Sequence, residues 1–151
     1  MMESGHRVVP ASSISHTGAA RRNPQKRTLF EEGKMIKVSV FYRNQSGSRF
    51  DADYYLSVHM PMAAKLLGRA VKSVTAEIGV SGEAPGTQPA FAAIAAFTCD
   101  SADDFLRAFM PVADRLQGDI PNYTDIEPVI QISNLTEFPI APAGNADVKS
   151  R

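Results

Sequence analysis

Asp51-Ala52-Asp53-Tyr54-Tyr55-Leu56-Ser57-Val58-His59-Met60-Pro61-Met62-Ala63-Ala64-Lys65-Leu66-Leu67-Gly68 stands fifty places ahead of Ser101-Ala102-Asp103-Asp104-Phe105-Leu106-Arg107-Ala108-Phe109-Met110-Pro111-Val112-Ala113-Asp114-Arg115-Leu116-Gln117-Gly118, and eight of the eighteen aligned positions are identical. Tyr55 against Phe105, Met62 against Val112 and Lys65 against Arg115 extend the match by similar side chains. Both segments have helical spacing. Ala52, Leu56, Met60, Ala63 and Leu67 recur every three or four residues in the first, as do Phe105, Phe109, Val112 and Leu116 in the second. A glycine follows each stripe as a stop, and Ser101 with Asp104 resembles a capping box. Two copies of one supersecondary unit are therefore expected.

The segments flanking the helices carry the strand period. Ile36, Val38, Val40 and Tyr42 alternate with Lys37, Ser39, Phe41 and Arg43. Residues 71–80 and 90–99 are two further strands separated by a Gly/Pro loop at 81–89, and 127–133 is the last. The order βαββαβ predicts a ferredoxin-like α+β fold, a four-stranded antiparallel sheet with two helices on one face. Each helix has a proline near its middle, Pro61 or Pro111, which removes one backbone hydrogen bond and is read most simply as a kink.

The copies differ where chemistry could reside, because Phe109 of the second is matched by His59 of the first. The helical angle of His59 lies between those of Leu56 and Ala63, which directs the imidazole to the helix–sheet boundary. Tyr55 lies one turn earlier, where an i, i+4 Tyr/His pair can share a hydrogen bond, and imidazole exchanges protons near neutrality. His59 and Tyr55 are thus the candidate catalytic pair; the alternative is a core histidine bonded to a backbone carbonyl. No second histidine lies in the patterned region and no carboxylate lies at ligand spacing, so no metal is expected. Asp125 and Glu127 suit a solvated turn better than a catalytic pair, and Cys99 suits a small buried hydrophobe better than a nucleophile.

Ser39, Phe41, Ser73, Thr75, Val129, Gln131 and Ser133 would form the sheet face away from the helices. A solvated face would carry more charge, so an identical chain is expected to pack there, giving a homodimer that closes as a dimeric α/β barrel.

Composition bounds the remaining classes. The 151 residues are 44% hydrophobic and 21% charged, and sixteen basic side chains balance sixteen acidic ones. A zero formal charge supplies no field to hold nucleic acid or an anionic membrane. One cysteine cannot form an internal disulfide, which makes a reducing cytoplasm the expected compartment, and no run reaches the ~18 apolar residues of a membrane span. Residues 1–34 carry a net charge of +3 without helix or strand period and are expected to be a disordered tail. They read either as a transit peptide or, through Glu31-Glu32-Gly33-Lys34-Met35, as a translated ribosome-binding sequence with the native start at Met35. Residues 35–138 form the expected domain, with a net charge of −4, and 139–151 a frayed end.

Tyr54-Tyr55 before His59-Met60-Pro61, together with Ile120-Pro121-Asn122-Tyr123-Thr124-Asp125-Ile126-Glu127-Pro128-Val129-Ile130-Gln131-Ile132, resembles the EthD family of the dimeric α/β-barrel superfamily. The resemblance runs from Met35 to about Leu135. It implies a ferredoxin-like dimer associated with degradation of ethers or other xenobiotics, usually beside oxygenase systems, and a broad oxidoreductase or reductase assignment. Similar superfamily members include cofactor-free monooxygenases, lactone isomerases and polyketide cyclases. The residues themselves contain no Gly-rich dinucleotide motif after a strand, no flavin signature and no redox cysteine pair, so no cofactor is expected.

Three functions stand at this point. One is an enzyme in which His59 is the general acid/base on a small hydrophobic molecule, Tyr55 orients it or stabilises developing charge, and Tyr123, Met62 and Val40 bind the substrate. Another is a module that sequesters a hydrophobic compound for a partner oxygenase. The third is a purely structural accessory dimer.

Overall fold

The computed structural model describes residues 34–142. The expectations for 1–33 and 143–151, including the tail and the alternative start, lie outside the described residues. Four strands, β1 (Ile36–Arg43), β2 (Val71–Ile78), β3 (Phe91–Cys99) and β4 (Val129–Asn134), form one sheet in the order β2-β3-β1-β4 with every neighbouring pair antiparallel. Helix α1 (residues 52–67) joins β1 to β2, and α2 (residues 102–119) joins β3 to β4. This is the ferredoxin-like βαββαβ arrangement.

Alternation decides the faces. Ile36, Val38 and Tyr42 of β1 and Ala93, Ala95, Phe97 and Cys99 of β3 are buried in the core with Met60, Ala63 and Leu67 of α1 and Phe105 and Leu116 of α2. Register places Val40 opposite Ala95 and Tyr42 opposite Ala93, so small β3 side chains leave room for large ones between sheet and helices. A register shift between Tyr42 and Arg43 marks a bulge at that end, a device that re-aims nearby side chains. On the opposite face Ser39 lies between Ala96 and Gln131, Phe41 between Ile94 and Val129, and Thr75 beside Ala96.

Local chemistry sets the element ends. Asp51 caps α1 by accepting the Tyr54 N–H at 3.0 Å, and Ser101 caps α2 by accepting that of Asp104 at 3.1 Å while donating to the Asp104 carboxylate at 2.8 Å. Gly68 ends α1 at φ +57°, a conformation that favours glycine. The second strand stops at Ile78 rather than residue 80, with Val80 fully out in solvent. The last begins at Val129 rather than 127 because Pro128 has no N–H to give to a ladder.

The two prolines act differently. Around Pro61 the helix widens: Tyr55–His59 is a π-helical turn closed by the Met60 N–H on the Tyr55 carbonyl. Around Pro111 it tightens into a 3₁₀ turn, Met110–Val112. The wide turn overturns the expected stripe of α1. Met60 sits above Tyr55, five residues back, instead of Leu56, four back, so Tyr55 is fully buried and Leu56 is 45% exposed. No helix among the described residues is long and apolar enough to cross a membrane.

Candidate active site

Between the sheet and both helices lies a cavity of about 560 Å³. Val38, Val40, Ile130 and Ile132 form its sheet wall, while Ala63, Leu67, Phe105, Phe109 and Leu116 form its helical wall. Its polar side chains are Tyr42, His59, Gln117 and Glu127.

His59 is 7% exposed, and the wide turn stacks its ring on that of Tyr55 with centroids 5.7 Å apart at 15°. Its Nδ1 lies 2.8 Å from Oδ2 of Asp119, the last residue of α2. The other oxygen of that carboxylate accepts the Tyr54 hydroxyl at 2.7 Å and the Asn122 amide at 2.9 Å. A negative charge at a helix C-terminus opposes the macrodipole, so these donors also hold Asp119 where its backbone disfavours it. Burial works to raise the Asp119 pKa. Hydrogen bonds from Asn122, Tyr54 and His59, together with attraction to His59, outweigh it and bring the carboxyl below its ordinary value. An ionised carboxylate can only accept, so Nδ1 carries a hydrogen, and in the neutral ring Nε2 then presents a lone pair.

The partner of Nε2 is Tyr123, whose hydroxyl is 3.3 Å away. The Tyr123 hydroxyl in turn lies 2.7 Å from that of Tyr42. Both tyrosines have raised pKa values, Tyr123 through burial and its hydrogen bond with Tyr42, and Tyr42 through burial. They are neutral hydroxyls at ordinary pH. The segment bearing Tyr123 is fastened to the start of α1: the Asp51 N–H donates to the Tyr123 carbonyl at 2.7 Å, Thr124 donates to the Arg49 carbonyl at 2.7 Å, and the Arg49 N–H donates to Asp125 at 2.8 Å. Asp125 is thus an anchor of the loop, whereas Glu127, two residues on, lines the cavity.

The sequence-derived residues divide. His59 and Val40 line the cavity, Tyr123 lies buried behind it, and Met62 packs on the core outside the lining. Tyr55 does not share a hydrogen bond with His59. Parallel stacked rings keep a phenol hydroxyl out of line with an imidazole nitrogen, and the buried Tyr55 hydroxyl has no hydrogen-bond partner among the described residues. Burial holds its pKa well above the usual tyrosine value. Tyr55→Phe should therefore leave thermal stability unchanged or raise it by up to ~1 kcal/mol, because it deletes an unsatisfied buried group; a melting curve checks this. Cys99 is fully buried, with its thiol pKa raised by that burial.

Asp119, Tyr54, Asn122 and Tyr42 complete the site, and sequence reasoning missed them. One signal was available in an acid at a helix C-terminus directly before Ile-Pro-Asn-Tyr, where neither propensity nor the dipole favours it.

An EthD domain model matches residues 47–127. An EthD-like protein from Ralstonia eutropha JMP134 is 50% identical, with the match covering 67% of this chain and 91% of that one at a TM-score of 0.65. A hydroxynitrile lyase from Passiflora edulis is 17% identical over 71% of this chain and 99% of that one, with a TM-score of 0.49. A dimeric ferredoxin-like protein of unknown function from Thermobifida fusca YX is 18% identical over 71% and 96%, with a TM-score of 0.45. None of the curated proteins matches significantly.

Proposed function

The chain belongs to the EthD family, and from that premise we propose that it is an acid/base enzyme acting on a small hydrophobic molecule in xenobiotic or secondary metabolism. The observation that carries this reading is His59, a residue lining an apolar cavity, with one nitrogen held by an ionised carboxylate and the other by the Tyr123 hydroxyl. Asp119 orients the ring and fixes its tautomer. It also stabilises the imidazolium that forms when His59 takes a proton, an effect strengthened where water is largely excluded. The apolar walls bind the carbon skeleton, and Tyr42, which lines the cavity, is available to the negative charge left behind. Such chemistry moves a proton and requires no electron carrier.

A second reading, a module that sequesters an apolar compound for a partner oxygenase, draws support from the near-continuous hydrophobic lining and from the partners already held by both His59 nitrogens. For either reading a second copy is the expected cover for the outer sheet face, where Phe41, Ile94 and Val129 adjoin. The buried free thiol of Cys99 suits a cytoplasmic setting.

Native mass spectrometry of the protein from its own host, followed by incubation of the released compound with protein in D₂O, distinguishes the readings. The enzyme reading expects a dimer mass, a retained apolar compound and protein-dependent incorporation of deuterium at one carbon. A retained compound that never exchanges would leave the sequestering module.

A further inference from the structure

Resting on that acid/base reading, we infer that Tyr42 is a further catalytic residue: the substrate hands its proton to the Tyr42 hydroxyl, and Tyr123 relays it to His59. The hydrogen-bond order carries the inference. With Nδ1–H donated to Asp119, Nε2 of the neutral ring is an acceptor, so in that state the Tyr123 hydroxyl donates to it and the Tyr42 hydroxyl donates to Tyr123. The Nε2 lone pair is already engaged by a residue outside the cavity lining. Among the described residues the acceptor of the string that receives no hydrogen bond is the oxygen of Tyr42, a residue that lines the cavity.

A substrate X–H lying against Tyr42 transfers its proton to that oxygen, the Tyr42 hydrogen moves to Tyr123, and the Tyr123 hydrogen moves to Nε2. One X–H bond breaks, one N–H bond forms, and each tyrosine loses one hydrogen and gains another. The products are the substrate anion beside a neutral Tyr42 hydroxyl and an imidazolium beside Asp119. Running the string backwards returns the proton to the same atom or to a neighbouring one, which is an isomerisation. Separation of the charges places the imidazolium with its carboxylate and the anion with a hydroxyl donor. The Tyr42 port is bordered by Val40 on its own strand and Ile130 on the next. The substrate class that fits is an apolar molecule with a single weakly acidic group, a phenol or an enolisable ketone.

The probe is 4-nitrophenol, neutral in water at a pH below its own pKa and yellow as the phenolate, with 4-nitroanisole as the analogue that cannot ionise. The wild-type protein should bind 4-nitrophenol as the phenolate. Tyr42→Phe and Tyr123→Phe should each lower its ionisation equilibrium in the site about tenfold, the effect of losing one hydrogen bond to a charged group, while binding 4-nitroanisole as before. His59→Gln should bind only the neutral phenol. If the phenolate share is unchanged in both tyrosine variants but lost in His59→Gln, the relay is overturned and His59 is a direct base. Phenolate binding that survives His59→Gln, or a wild-type protein that binds only the neutral form or none, overturns the relay and the acid/base reading together. Should Tyr42→Phe also lose 4-nitroanisole, its effect is one of packing and Tyr123→Phe decides, since that ring lies outside the cavity wall.

Discussion

Deuterium exchange into the bound substrate is expected to slow by roughly 10²- to 10⁴-fold in His59→Gln, the range that a positioned acid/base group contributes, while affinity for that substrate changes by less than about tenfold. Glutamine is close to histidine in length and its amide can still donate to Asp119, so the carboxylate keeps a partner and the cavity keeps its shape. What disappears is the imidazole nitrogen that takes up the proton and returns it. Parallel exchange and binding measurements on one preparation check this. Equal exchange rates in the two proteins would remove His59 from the chemistry, whereas a parallel loss of binding would assign it to recognition. Asp119→Asn should move in the same direction with the fold intact. An amide that donates to Nδ1 forces the hydrogen onto Nε2, and a histidine held in the wrong tautomer no longer accepts there. The ¹⁵N shifts of the imidazole report that change without any substrate.

The largest effect on stability is expected from Asp119→Ala, about 3 kcal/mol at neutral pH and roughly 10–20 °C in melting temperature. The substitution leaves the His59 Nδ1–H, the Tyr54 hydroxyl and the Asn122 amide without the acceptor they share. The loss should depend on pH with a definite sign. The folded-state pKa of Asp119 lies below its ordinary 3.8, the net result of opposing burial and stronger hydrogen bonding. The unfolded chain therefore binds the proton more readily, and stability rises with pH through that window. The contribution is complete above about pH 4 and fades as pH falls through the folded-state value, where the carboxyl of the native protein also becomes protonated. Urea titrations of both proteins at neutral and strongly acid pH should accordingly converge at the acid end. A difference that stays constant with pH would mean that the carboxylate charge contributes nothing.

The helix repeat made both the fold and the identity of His59 legible, because apolar spacing and strand alternation are local properties that burial selects everywhere along a chain. The pairing of Tyr55 with Phe105 in that repeat also held the burial of Tyr55, against the simpler stripe through Leu56. An ideal helical wheel hides this, since it allots 100° to every residue and the π-helical turn before Pro61 does not. The hydrogen-bond partners of His59 differ from the sequence expectation for a related reason. A residue one turn away is the nearest candidate in sequence, but stacking occupied Tyr55, and the hydrogen-bonding partners lie sixty and sixty-four positions downstream.

Amino-acid order alone determined the ferredoxin-like arrangement, the Ser101 cap and the Gly68 stop, the sheet face away from the helices and the histidine at the helix–sheet boundary, because each follows from period, capping chemistry or composition within short windows; the expected stop at Gly118 did not hold, since the helix runs on to Asp119. Only the tertiary structure decided that Asp119 and Tyr123 flank that histidine, that Tyr42 joins the string and that Met62 stands outside the cavity. Those relations depend on how the end of α2 and the segment after it come to lie against the start of α1. That docking is held by contacts such as Asp51 to Tyr123 and Thr124 to Arg49, between residues more than seventy apart, where no local pattern records it.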